Sequence, residues 1–218
     1  GIVALKVGKS KLAENATVTH TAPMAGNYQG AIALLNKLAI ATVDGLESFL
    51  NTLMILHVHQ PIGGNKIASL SCSGGEASLI ADLAEQFNFR FPKLNSKQKR
   101  NLKSALVDLV HLSNPLDYQT YVWNDQVKLT EAFKTMMEET YDFLFIIMDL
   151  PKQGRCSSVS WHPAIAALKE AKKIAKCPVG LITSLEENMP EKFAKDLIKH
   201  SIIPLTGLEN SLAAVKAL

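Results

Sequence analysis

Three short stretches of the chain carry residue types from which a reaction could be built. The first is Thr19-His20-Thr21-Ala22-Pro23-Met24-Ala25-Gly26-Asn27, a histidine set among small residues. An imidazole of ordinary pKa, near ~6.5, is largely neutral at physiological pH, so one ring nitrogen of His20 can act as a nucleophile. A loop histidine that is hydrogen-bonded and nothing more fits the same local sequence. The second stretch is Leu70-Ser71-Cys72-Ser73-Gly74-Gly75-Glu76-Ala77-Ser78, an apolar run turning through two glycines. If a helix starts there, its first amides point outward unpaired, the helix dipole adds partial positive charge, and glycine lets an anion approach closely. Ser73, Gly74 and Gly75 are therefore candidate phosphate ligands. The stretch lacks a GKS or GKT ending and its glycines are adjacent, so it is neither a Walker A loop nor a GxGxxG fingerprint, and a plain strand-to-helix turn reads equally well. The third stretch is Ser113-Asn114-Pro115-Leu116-Asp117-Tyr118, where Asn114 is held extended before proline and Asp117 could cap a helix or orient a loop at the same sheet edge. His57, His59 and His162 show no metal-ligand spacing and read as structural.

These stretches need elements to position them. Residues 2–7 form an apolar, β-leaning run ending at Gly8, a loop follows, and residues 29–38 place Ile32, Leu35 and Leu38 on one helical face. A second strand is expected at 40–43, with Asp44 as N-cap of a helix over 46–56. Pro61-Ile62-Gly63-Gly64-Asn65 reads as a linker. Beyond it come a strand at 66–71, a helix to about 87, helices at 96–109 and 126–140, and the clearest buried strand at 141–149. Helix 163–175, strand 178–183, helix 190–200, strand 202–205 and helix 208–218 complete the rhythm. Alternating strands and helices with short links call for α/β architecture with mostly parallel, doubly wound sheets, whose ligands bind at the carboxyl ends of the strands. Two units are expected, 1–62 and 63–218. The first supplies only two strands, too few to close a sheet over its own core, so it reads as truncated and should lean on the second unit or on further chain.

Composition narrows the classes of function. With 47% hydrophobic and 20% charged residues, the chain can bury a substantial core and is not disordered. A net charge of +3 without an aromatic-interleaved basic patch argues against nucleic acid as a partner. The longest apolar run, at 143–148, is far below the ~20 residues that span a bilayer, and no leader pattern is present, which suggests a cytoplasmic protein away from membranes. Cys72, Cys156 and Cys177 are odd in number and form no CxxC pair, so neither disulfides nor a metal site is expected, and at least two should be buried thiols.

Taken in order, the motifs resemble the NDP-forming acyl-CoA synthetases, or ADP-forming acetate-CoA ligases, of the succinyl-CoA synthetase superfamily. The family's Ser/Thr-His-Thr-Gly/Ala motif followed by Ala-Gly is matched at Thr19-His20-Thr21-Ala22 and Ala25-Gly26. Its strand ending in Val-Asp is matched at Val43-Asp44, its Gly-Gly turn at Ser73-Gly74-Gly75, and its Asn-Pro-hydrophobic-Asp motif at Asn114-Pro115-Leu116-Asp117. Pro163-Ala164-Ile165 and Pro178-Val179 extend the similarity toward the end of the chain. Pro23 departs from the small residue that many members carry there.

The resemblance implies two flavodoxin-like units of the succinyl-CoA synthetase type, 1–62 being part of the domain that bears a phosphohistidine. It implies that acyl-CoA, phosphate and ADP are interconverted with carboxylic acid, CoA and ATP, with His20 as the residue phosphorylated in turnover. Ser73, Gly74 and Gly75 would cradle phosphate, and Thr21, Asn114 and Asp117 would belong to the surrounding loops. CoA, and ADP or ATP with Mg, would be bound by CoA-binding and ATP-grasp domains not visible in this sequence, in the same polypeptide or a second subunit, so this chain alone should be inactive. Two alternatives stand beside this reading. One is a regulatory acyl-CoA-sensing region of a protein acyltransferase. The other is a flavodoxin-like module sharing only architecture, in which His20 and the Gly74-Gly75 turn would lie far apart.

Overall fold

The protein, seen in a computed structural model, is described for residues 1–13, 15–16, 27–152 and 154–218. The first segment contributes β1 (Val3–Leu5), α1 (Tyr28–Lys37), β2 (Ala41–Val43) and α2 (Leu46–Val58). β1 and β2 pair in parallel as a two-stranded sheet. Asn27 caps α1, its Oδ1 accepting from the amides of Gln29 and Gly30. The expected cap at Asp44 is not made: Gly45 is the N-cap of α2 and supplies no side chain, so the shift of one residue leaves the Asp44 carboxylate outside the turn.

α2 is inverted relative to an ordinary amphipathic helix. Its buried stripe is Ser48, Asn51, Thr52 and Ile55, at helical spacing, whereas Leu46, Leu50 and Leu53 are exposed. The polar stripe packs against the last strand and last helix of the chain, so the first segment does lean on the second. α1 buries no residue at all.

The second segment runs β3 (Ile67–Ser71), α3 (Gly74–Gln86), α4 (Ser96–Ala105), β4 (Leu116–Asp117), α5 (Gln126–Met137), β5 (Phe143–Ile147), α6 (His162–Lys172), β6 (Val179–Thr183), α7 (Glu191–Lys199), β7 (Ile203–Thr206) and α8 (Leu208–Lys216). Its five strands lie in the order β4-β3-β5-β6-β7, every neighbouring pair parallel. Numbered within this sheet, that is the order 2-1-3-4-5 of flavodoxin-like folds, whose switch point falls between the first and third strands, here β3 and β5. β3, β5 and β6 are buried along their whole lengths, as central strands covered on both faces must be.

The strand period of two divides the core. Phe143, Phe145 and Ile147 of β5 face Ile55, Ile80 and Leu212, while Leu144 and Ile146 face Leu102, Leu129, Phe133 and Leu168. Helices therefore cover both faces: α2, α3 and α8 on one, α4, α5 and α6 on the other. Local signals end the elements where the sequence suggested, within a few residues. Asn95 and Gln98 form a reciprocal capping box at the start of α4, and Asp125 caps α5 through the Lys128 amide at 3.0 Å. α4 stops at Ala105 rather than reaching 109. The stretch expected to be a loop at 113–118 contains β4, two residues that pair with Leu70 and Ser71 and are too short to show a period. Of the three thiols only Cys177 is buried; Cys72 is half-buried and Cys156 exposed. Among the described residues no helix is long and apolar enough to cross a membrane.

Candidate functional site

The turn from β3 into α3 is built by its own side chains. Ser71 donates its hydroxyl proton to the carbonyl of Ser73 at 3.0 Å, and Ser73 in turn caps the helix by accepting from the Glu76 amide at 3.4 Å. The amides of Gly74 and Gly75 come before the helical bonding ladder begins, and both residues are exposed. Across from them stands β4. A Cβ added to Gly74 would lie 3.2 Å from Oδ2 of Asp117, so a side chain there would crowd the close approach of the two elements. The other Asp117 oxygen accepts from the Gln119 amide at 2.9 Å, closing a tight turn rather than capping a helix.

The structure thus brings Ser73, Gly74, Gly75 and Asp117 together at the carboxyl edge of the sheet. Asn114 has a different duty. Its Oδ1 accepts from the Ser69 amide at 3.2 Å, and its Nδ2 donates to the carbonyls of Ile67 and Pro92 at 3.1 and 3.2 Å. It clips the entry of β4 onto β3, its amide committed to backbone on both sides. His20 and Thr21 lie outside the described residues.

Residues that motif reading passed over complete the site. A cavity of about 410 Å³ opens at the ends of β3 and β5, lined by Cys72, Glu76, Trp123, Met148, Asp149 and Trp161 together with Thr120 and Asn124. Asp149 lies just past Met148 at the end of β5, and its Oδ1 accepts from the Ser184 amide at 2.7 Å, tying the loop after β5 to the loop after β6. Glu76 sits in the first turn of α3 with Oε2 buried and without a hydrogen-bond partner. Burial, then the neighbouring Asp149 and Asp117 carboxylates, push its carboxyl up to about 7. Burial and the nearby Glu76 likewise push the Cys72 thiol up to about 11, so it stays a thiol rather than a thiolate nucleophile. Beneath, Tyr118 is fully buried with its hydroxyl unpaired, and its acidity is suppressed by burial first and then by Cys72, Glu76 and Asp117. Position at the end of a strand is the one sequence signal that could have singled out Asp149; nothing in the local sequence marks either tryptophan.

A larger cavity, about 940 Å³, lies between α6 and α7. Two of the lysines in its wall are engaged, Lys169 with Asp196 and Lys195 with Glu191. Leu150 and Pro151, which follow Asp149 after β5, form part of its wall. Among the described residues no group of three His, Cys, Asp or Glu side chains could hold a metal ion.

No protein-family model matches the chain. It is 29% identical over 215 residues to the alpha subunit of ADP-forming acetate–CoA ligase II of Pyrococcus furiosus, covering 98% of this chain and 46% of that protein. It is 28% identical over 138 residues to a trans-feruloyl-CoA synthase of an unknown prokaryotic organism, covering 63% of this chain and 20% of that protein. ADP-forming acetate–CoA ligase I of Archaeoglobus fulgidus is 28% identical over 116 residues, covering 53% of this chain and 17% of its own length. Among solved structures, the dinucleotide-forming acetyl-coenzyme A synthetase 1 of Ca. Korarchaeum cryptofilum, in complex with phosphate and ADP, superposes with a TM-score of 0.76. At 16% identity, over 99% of this chain and 46% of that one, that likeness shows the shared α/β fold with parallel sheets. The chain's homologues thus include ADP-forming acetate-CoA ligases, in agreement with the ordered motifs, and it spans 46% or less of each of these relatives.

Proposed function

We propose that this chain, a homologue of the ADP-forming acetate-CoA ligases, is the part of an NDP-forming acyl-CoA synthetase that carries phosphate from the acyl group toward ADP. The observation that carries the reading is the likeness to a ligase alpha subunit over 98% of the chain, in which the Thr19-His20-Thr21 motif and the Gly74-Gly75 turn both fall. In this scheme a phosphate oxygen attacks the thioester carbonyl, the carbon–sulfur bond breaks, and CoA departs from an acyl phosphate. A neutral ring nitrogen of His20 then attacks phosphorus, and the carboxylate leaves with the bridging oxygen. The terminal phosphate oxygen of ADP finally displaces the imidazole, giving ATP.

The role of Ser73, Gly74 and Gly75 in this scheme is to face the phosphate with unpaired amides and the positive end of the α3 dipole. Asp117 and Glu76 stand beside that helix start, and their charge opposes an anion. Glu76 relieves part of the opposition when it is protonated, which its raised pKa allows near neutrality. Mg fits no group among the described residues, so we assign it, with ADP and CoA, to further chain. The exposed Leu46, Leu50 and Leu53 of α2 and Leu34 of α1 support the same view, since a face of that kind is normally covered by more protein.

The test uses the intact enzyme with acyl-CoA, ADP and labelled phosphate. Acid-labile label on His20, and loss of ATP formation by about 1,000-fold or more in His20→Ala, are expected from removal of a covalent carrier. Undiminished ATP formation in that variant would overturn the proposal.

A further inference from the structure

We propose that the cavity between the ends of β3 and β5 seats an aromatic acyl group carrying a hydrogen-bond donor on its ring, such as a 4-hydroxyphenyl group, in the corner formed by Trp123 and Trp161 and against the carboxyls of Glu76 and Asp149. The inference rests on the acyl-transfer reading above and names the class of acyl group it serves.

Position comes first. Cys72 and Glu76 follow β3, and Met148 and Asp149 follow β5, so the cavity sits at the topological switch point where parallel sheets of this order bind their ligands. Its volume, about 410 Å³, falls within the range of small-molecule pockets. It also adjoins the candidate phosphate cradle, because Glu76 belongs to the first turn of the helix that Gly74 and Gly75 begin. An acyl group lodged here would present its carbonyl near that cradle.

The walls then set the chemistry. The chain has two tryptophans, and both line this one cavity. Their rings meet edge to face, with centroids 6.0 Å apart and planes at 90°. Trp123 is backed by the buried Tyr118 ring, parallel within 6° at 6.5 Å, which in turn meets Phe133 edge-on at 5.2 Å. The indoles are therefore held by the core and form a rigid aromatic corner. The Met148 and Cys72 sulfurs add the soft contacts that aromatic rings favour.

The polar groups select a donor. Among the groups that line the cavity, Oε2 of Glu76 is buried and lacks a partner, an arrangement that costs free energy until something supplies one. A phenolic hydroxyl can donate to a carboxyl oxygen and accept in return. Free carboxylates are disfavoured inside by Glu76, Asp149 and Asp117, so the neutral ring end enters and the reacting end stays toward Gly74 and Gly75. An acetyl group has neither a ring to pack on the indoles nor a donor for the unpaired oxygen.

The test uses the 218-residue chain and three N-acetylcysteamine thioesters, those of 3-(4-hydroxyphenyl)propionate, 3-phenylpropionate and acetate, followed by calorimetry and by the two indole N–H resonances. The hydroxyphenyl thioester should bind and shift both resonances, the phenyl thioester about tenfold more weakly or less, and the acetyl thioester not at all. Glu76→Ala should make the first two ligands equal, and Trp161→Leu should weaken both by about tenfold or more, while Trp161→Phe restores part of the loss. Unshifted indoles, or equal affinity for the hydroxyphenyl and phenyl thioesters in the unsubstituted chain, would overturn the proposal. The phosphohistidine reading is judged separately, by label on His20 in the intact enzyme, so either can fall while the other stands.

Discussion

Asn51 and Thr206 are joined in both directions. The Asn51 side chain, on α2, donates from Nδ2 to the Thr206 carbonyl at 2.8 Å and accepts at Oδ1 from the Thr206 amide at 3.3 Å. It acts as one more residue paired to the outer edge of β7, and its Nδ2 also reaches the Ser211 hydroxyl of α8 at 3.4 Å. This buried amide is the polar fastening between the first segment and the second, which explains why α2 turns a polar stripe inward.

Replacing Asn51 with alanine should leave the Thr206 backbone groups unpaired in a buried setting. A loss of about 1 to 3 kcal/mol is expected. Limited proteolysis should show earlier cleavage before residue 62, and an unchanged urea midpoint would contradict the assigned role.

Asn114→Ala removes the clip that holds β4 beside β3. Three backbone partners lose their hydrogen bonds, so destabilisation of about 2 kcal/mol or more is expected, measured by chemical denaturation. Asn114→Asp should not rescue it, because a carboxylate cannot donate to the carbonyls of Ile67 and Pro92.

Glu76 makes stability depend on pH. Its carboxyl titrates near 7 in the fold against 4.5 as the unperturbed value, so the folded state holds its proton longer than the unfolded chain. Stability should therefore fall as pH rises from about 4.5 through about 7 and level off above that. The partly solvated site reduces the effect to the order of 1 to 3 kcal/mol. Glu76→Gln should flatten that slope and raise the melting temperature at pH 8 more than at pH 4.5. Parallel pH profiles for the two proteins would contradict this.

Gly74 and Gly75 separate folding from anion binding. A Cβ on Gly75 meets only the Ser73 hydroxyl at 3.5 Å, an ordinary contact, and alanine is the better helix former by about 0.5 to 1 kcal/mol. Gly75→Ala should hold or raise the melting temperature, whereas in the intact enzyme it should raise the KM for phosphate about tenfold if the amides cradle that anion. Gly74→Ala, crowded against Asp117, should lose both stability and phosphate affinity. A phosphate KM untouched by both substitutions would remove the cradle from the scheme.

Gly180 marks a tightly packed point of the sheet. A Cβ there would come within 2.8 Å of the Phe143 ring and 3.0 Å of the Leu205 side chain, both buried. Gly180→Ala should cost about 1 to 3 kcal/mol through overpacking, read as a lower denaturation midpoint. Gly63→Ala, where a Cβ meets nothing within 4 Å, serves as the neutral control.

From the sequence alone came the alternation of strands and helices, the parallel α/β class, and the helix start at Ser73-Gly74-Gly75. Each depends on interactions within a few residues: the burial period of Phe143–Ile147, the capping of α3 by Ser73, and the glycines that free its first turn. Tertiary structure decided the rest. β4 exists because Asn114 and β3 hold two residues in place, and no two-residue run carries a period of its own. The inward polar stripe of α2 makes sense only against Thr206, which lies 155 positions away. The cavity joins residues after β3, β4 and β5, and the raised pKa of Glu76 comes from burial and from Asp149 and Asp117, none of which a linear reading places beside it. Local hydrogen bonding and periodicity are written along the chain, whereas desolvation and the meeting of distant charges arise only once the sheet has brought its strand ends together.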